Sequence, residues 1–296
     1  MILFPRDRQY DPAFDVRIAS PAYSGNGPLV IYDEGHLNAH TADAAYRPLV
    51  SMIRGDGYAV RVSHQEISAG MLNGASILMI VCARGKNDAN DAPAFSDAEA
   101  GAIVQWVEGG GSLLLVTDHW PYGAAAEPLA VRFGMRMGKG LVEDPGHHDA
   151  VRGSSHIVFT RESGLPLHPI VEGRNPSERV LRVLTFTGQS LSGPPSGLVF
   201  LQLSDSAVEY PPASPKVEKD GGDVRVTMTY GSPASVAGRA QGIALDKGKG
   251  RVVVLAEAGM LRAQNESNGL QVGMNVAGYD NRQLALNIMH WLSHLL

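Results

Sequence analysis

The chain has 296 residues, 44% hydrophobic and 19% charged, with a net charge of −5. That length supports one large core, and the lack of a basic block with interleaved aromatics argues against a nucleic-acid partner. No apolar run reaches the roughly 18 residues of a membrane span, and a single cysteine, Cys82, excludes an internal disulfide framework.

The opening segment, MILFPRDRQYDPAFD, is too charged for a signal peptide, so a cytoplasmic protein is expected. PLVIY (28–32) is a short apolar run, the pattern of a strand buried on both faces. A helix follows over about 43–54, and Pro48 makes it either start late or kink. YAVRVS (58–63) and SILMIVCA (76–83) read as the next two strands. Ser96 and Glu99 form an S-x-x-E capping box that opens a helix over about 97–109, closed by glycines. SLLLVTD (112–118) is a fourth strand, and GAAAEPLAVRFG (123–134) reads as helical despite its internal proline. This strand–helix alternation is the signature of a mainly parallel sheet covered by helices.

The pattern changes after Met135. HIVFT, RVLRVLTFTG, LVFLQL and VRVTMTY are strand-like, and SGPPSG and YPPASPKVEKDGGD separate them. We read residues 136–240 as an irregular β-rich insertion within a single α/β domain, 1–296. A buried strand at 250–256 and an amphipathic helix at 281–295 then restore the α/β pattern. The late strand is expected to join the first four in one sheet.

In open parallel sheets, ligands bind outside the carboxyl ends of the strands. Asp33, Glu34, His36, Asn38 and His40 follow the first strand here, and Cys82 and Arg84 the third. Asp118 and His119 follow the fourth, and Glu257 and then Gln264 the late one. These groups are expected to share one sheet edge. On a helix, the spacing His36-x-x-x-His40 would put two imidazoles on one face, as metal-binding helices do. His36, His40 and His119, with nearby carboxylates, would suit one divalent ion, zinc first. An open coordination position could then lower the pKa of a bound water to ~7. Two other readings stay open: a carboxylate pair sharing acid–base work without metal, and turn capping by Asp33 and Thr41.

Weaker features complete the reading. The histidines of GHHD (146–149) suit a solvated loop, and FTGQS (186–190) brings Gln189 toward the site. Asp280 is a natural cap for the last helix. His290 and His294 suit helix packing, and Cys82 a small buried hydrophobe.

The order LVIYDEGH, ILMIVCARG, VEGGGSLLLVTDHWP, LHPIVEG and GRVVVLAEAGM resembles the class I glutamine amidotransferase-like superfamily. Within it, the likeness is to the trehalose-utilisation-type and gliding/intraflagellar-transport-type branches. The resemblance implies a flavodoxin-like three-layer α/β sandwich. It does not carry over the amidotransferase mechanism. The elbow-like turn, TDHWPYG, holds Asp118 and His119 where that family has its nucleophilic cysteine, and no later His-Pro-Glu segment supplies the family's other catalytic groups.

The expectation is a hydrolase that cleaves an ester, amide or related bond of a small substrate with metal-bound or carboxylate-activated water. Glu34, Asp118 and Glu257 are the candidate catalytic groups, and His36, His40 and His119 the metal ligands. Asp33, Asn38, Arg84, Gln189 and Gln264 would contact substrate. A small molecule is the expected partner, a homo-oligomer is compatible, and neither nucleic acid nor membrane is expected. The alternatives are a non-catalytic sugar or small-molecule binding module and a scaffold with a vestigial pocket.

Overall fold

The computed structural model describes residues 10–85, 92–220, 223–266 and 268–296. The apolar runs form β1 (Leu29–Asp33), β2 (Ala59–Ser63), β3 (Ile77–Val81) and β4 (Ser112–Val116). The β-rich middle adds β5 (Arg136–Met137), β6 (Leu191–Ser192), β7 (Leu198–Gln202) and β8 (Ala240–Lys247), and the late run is β9 (Gly250–Leu255). All nine share one sheet in the order β2-β1-β3-β4-β9-β8-β6-β5, with β7 also on β8. From β2 to β9 every pairing is parallel, and the β8 side is antiparallel.

Successive strand residues point to opposite faces, which divides the core in two. Val30, Tyr32, Met79, Leu114 and Val253 pack with α1 (Arg47–Gly55) and α4 (Asn281–Leu292). Ile31, Leu78, Ile80, Leu115 and Val254 pack with α2 (Asp97–Glu108) and α3 (Tyr122–Val131). These strand side chains are at most 1% exposed, and each contributes about 1.5–3 kcal/mol by burial. The result is the expected three-layer α/β sandwich with a mainly parallel sheet.

Local chemistry sets the helix ends. Pro48 lies in the first turn of α1, so the helix starts late and is not kinked. The Ser96–Glu99 capping box of α2 is formed in both directions. Asp280 occupies the N-cap position of α4 but makes no side-chain cap there. Its Oδ2 accepts from the amides of Leu181 and Arg182 at 2.8 and 2.9 Å, tying the helix start to a neighbouring strand. His290 packs inside α4's interface, with Nε2 2.7 Å from Asp56 Oδ2 and both residues 1% exposed.

The segment read as an insertion contributes strands to several sheets. Its strands β5 to β7 extend the main sheet. Others, at His148–Asp149, Gly153–Thr160 and Arg182–Leu184, form a small antiparallel sheet. Part of this sheet walls the carboxyl edge of the main sheet, together with the hairpin Ala263–Asn265/Gln271–Gly273. Among the described residues, no helix is long and apolar enough to cross a membrane.

The capping box gives a direct test. Ser96→Ala removes the acceptor for the Glu99 amide and should cost about 1 kcal/mol of stability, measured by urea unfolding.

Candidate functional site

The register of β4 against β9 pairs Val116 with Leu255. Asp118 and Glu257 each lie two residues further on, so the two carboxylates leave neighbouring strands at the same level. Strands in such a pair are about 4.8 Å apart. The Ala258 amide reaches back to Asp118 Oδ2 at 3.3 Å, and the His119 amide donates to Asp118 Oδ1 at 2.8 Å. Both carboxylates line a cavity of about 450 Å³ at the carboxyl edge, with His40 and His119 beside them.

Glu257 is fully buried. Its Oε1 accepts from the Gly259 amide, and its Oε2 from the Met260 amide at 2.8 Å. Burial first, and then the negative charge of Asp118, push its pKa up to about 8, against the opposing pull of these amides and of Arg262. The loop above it explains the burial. Thr187 and Gly188 have φ of +74° and +87°, and a Cβ on Gly188 would lie 2.7 Å from the Glu257 side chain. A β-branched residue such as Thr187 is an outlier in the left-handed region. Such strain concentrates at functional sites, and Thr187 lines this cavity.

His119 Nδ1 is 2.9 Å from the Trp120 carbonyl, which can only accept. Nδ1 therefore carries a proton, and in the neutral ring Nε2 is the acceptor. The His40 ring stacks on Tyr46 with centroids 5.5 Å apart.

His36 is elsewhere. Residues 34–40 are not helical, so the i, i+4 geometry does not arise. His36 Nδ1 lies 2.8 and 2.9 Å from the two oxygens of Asp33, and Nε2 lies 2.8 Å from Glu99 Oε1. Ionised carboxylates only accept, so both ring nitrogens donate and neither has a lone pair for a metal. Burial opposes the imidazolium charge, but Asp33 and Glu99 outweigh it and raise the His36 pKa above its usual 6.5. Glu99 is held at about 2. Burial works against this, and the hydrogen bonds from Ser96, His36 and Ile67 prevail. Among the described residues, no group of three or more His, Cys, Asp or Glu side chains is placed to hold a metal ion.

Most of the other expected contacts serve the scaffold and do not line the cavity. Asp33 is fully buried and accepts from His36, from Asn38 Nδ2 at 3.1 Å and from the Gly35 amide. Asn38 also donates to the Val81 carbonyl. Glu34 Oε1 caps the turn at the Ala42 amide, 2.8 Å away. Arg84 Nε donates to the Leu37 carbonyl at 3.1 Å, and residues 86–91 of the polar loop beyond it lie outside the described residues. Gln189 is fully buried, taking the Lys139 amide at 2.7 Å and giving Nε2 to Thr117 Oγ1. Gln264 accepts from Arg262 Nη2 and is 3% exposed. Cys82 is 1% exposed, as expected of a small hydrophobe. Burial and the Asp118 charge push its thiol well above its usual pKa, so it is no nucleophile.

The residues that sequence reasoning missed are Arg152, His156, Thr187 and Arg262, all of which line the cavity. Arg152 and His156 sit on the 148–160 hairpin, and Arg262 lies just past the turn that Glu257 caps. FTGQS pointed to the right loop, but its first two residues, Phe186 and Thr187, line the cavity and Gln189 does not.

No protein-family model matches the chain, and no curated protein matches it. Solved structures do. The N-terminal domain of mmIFT52 superposes with a TM-score of 0.63 at 13% identity, covering 90% of this chain and 97% of that one. A ThuA-like protein from Bacteroides uniformis gives a TM-score of 0.45 at 16% identity, covering 95% of each chain. A cytoplasmic protein from Salmonella typhimurium gives 0.48 at 12% identity, covering 90% of this chain and 98% of that one. At these identities the likeness to the mmIFT52 domain is one of fold.

The Asp33–His36–Glu99 chain has a signed pH dependence. The raised His36 pKa stabilises fully below pH 6.5, and this is lost as pH rises through the folded value. The lowered Glu99 pKa stabilises fully above pH 4.5, and this is lost as pH falls through about 2. Both contributions are complete between pH 4.5 and 6.5. His36→Gln breaks the buried chain and should cost about 3–5 kcal/mol. In urea melts its deficit should be largest near pH 5.5 and shrink above neutral. A deficit independent of pH would refute the charged form.

Proposed function

We propose that the cavity is the active site of a hydrolase that uses carboxylate-activated water on an ester, amide or related bond of a small substrate. The observation that carries this reading is the pair Asp118 and Glu257, placed level by the β4–β9 register with one of them held protonated at neutral pH. Asp118 is the base that takes a proton from water. Glu257 is the acid that gives its proton to the leaving group. A carboxyl group whose burial raises its pKa, set beside a second carboxyl in a different environment, is a recurring basis of acid–base division of labour. His119 Nε2 is a second acceptor for the water, 3.6 Å from Asp118 Oδ1.

A metal is not needed for this chemistry, and His36 is committed to its two carboxylates. The likeness to the amidotransferase-like superfamily contributes the fold, and the buried Cys82 offers no covalent step. One observation favours a second reading, a binding module. Both oxygens of Glu257 already accept backbone amides, so its carboxyl also serves the Gly259–Leu261 turn.

Kinetics on a panel of small nitrophenyl esters, anilides and glycosides separates the two readings. Hydrolysis should fall by about 10²–10⁴-fold in Asp118→Asn and in Glu257→Gln. In the wild type, kcat/KM should drop as pH rises through about 8, where Glu257 loses its proton. Cys82→Ala should lose less than about a hundredfold, or roughly 2.7 kcal/mol. A chain that binds panel compounds without turnover, and whose Asp118→Asn variant binds them too, would be a binding module.

A further inference from the structure

We propose that the ligand of this cavity is an organic anion, with a carboxylate or phosphate bound by Arg262 and flanked by Arg152 and His156. The inference rests on the cavity being the substrate site and names the class of molecule it takes.

Arg262 carries the argument. Its Nε is buried and has no hydrogen-bond partner, although buried donors are nearly always satisfied. The side chain is nevertheless held in place. Nη2 donates to Gln264 Oε1, and the Arg262 amide donates to the Gly259 carbonyl at 3.0 Å. A guanidinium presents its donors as a rigid fork that matches a carboxylate or phosphate. Arg262 lines the cavity with one orienting contact and one unmet donor, which is what such a receptor needs before its ligand arrives.

The surroundings agree. Arg152 is held at the same wall by Asp149, 3.5 Å away, and by the Gln271 carbonyl at 3.1 Å. Asp149 is shared with the Tyr279 hydroxyl at 2.7 Å and two backbone amides. Burial first, and then the charge of Arg152, hold the His156 pKa below its usual value. An anion set between them would screen that charge. On the acidic side, Glu257 is protonated at neutral pH, and Asp118 and Glu266 remain. Asp118 is tied to the amides of His119 and Ala258.

The rest of the wall indicates that the ion is organic. Phe186, Leu270 and Val272 line the cavity, and Val151 stands 79% exposed at its wall. These side chains would cover the apolar body of a ligand whose charged end meets Arg262.

Equilibrium binding of benzoate, phenyl phosphate, acetate and inorganic phosphate, at fixed ionic strength by titration calorimetry, tests the proposal. Benzoate or phenyl phosphate should bind the wild type, and the better of the two identifies the carboxylate or the phosphate source. Its small counterpart, acetate or inorganic phosphate, should bind at least tenfold more weakly. Arg262→Gln should weaken the better probe at least tenfold with the melting temperature maintained. Should that variant not fold, Arg262→Lys keeps the charge, loses the fork and should show the same direction. Gln264→Ala, which frees the guanidinium, should weaken binding less. Asp118→Asn removes a negative charge and should bind at least as tightly as the wild type. Absence of binding by both aromatic probes, or unchanged binding in a folded Arg262→Gln, overturns the proposal. Anion binding without hydrolysis of any panel compound would sink the hydrolase reading and leave this one standing; hydrolysis of neutral substrates without anion binding would do the reverse.

Discussion

The constraint behind this molecule is that its central strands are covered on both faces. Strands β3 and β4 bury every residue, and an unpaired polar side chain in that setting carries a large desolvation cost. Polar chemistry is therefore pushed out to where the strands end. The parallel arrangement sends all the carboxyl ends to the same side, so residues far apart in sequence meet there. The pairing of Val116 with Leu255 is the local form of this rule. It fixes the level of Asp118 against Glu257 as firmly as it fixes the apolar contacts below them.

A second consequence of that crowded edge is a division between scaffold and site. The loop after β1 spends Asp33, Glu34, His36 and Asn38 on its own shape and on its tie to α2 through Glu99. Only His40 from that loop reaches the cavity. Buried ionic chains of this kind stabilise little in net terms when intact, and breaking them is costly because it strands a charge. Here the chain joins the first strand's exit to the capping box of a helix more than sixty residues away in sequence. It thereby fixes the exit of β1 against α2.

The sequence made the scaffold legible and the site only partly so, for physical reasons. Five-residue apolar runs, the Ser96–Glu99 box and the amphipathic tail are local signals, and each became the expected element. Asp118, His119, Glu257 and His40 were legible because strand ends mark an edge. The role of His36 was not, since its partner Glu99 already had a sufficient local explanation as a cap. Strands β5 and β6, two residues each, are too short to carry a period. Arg152, His156 and Arg262 sit on hairpins and turns added above the sheet, where no strand-end rule applies. Gln189 and Thr187 differ only in which way one loop turns, and a positive φ at a threonine is not written in its residue type.

Gly188 sets the chemistry of Glu257 by what it lacks. Its missing side chain lets the loop backbone come down against the Cβ and Cγ of Glu257, and the burial of that side chain raises the proton affinity of its carboxyl. Adding a single methyl group there would alter no charge and remove no hydrogen-bonding group, yet it would lift the roof and let solvent in. The acidity of Glu257 is thus a matter of clearance, and a substitution that looks purely steric would act on this cavity as an electrostatic one.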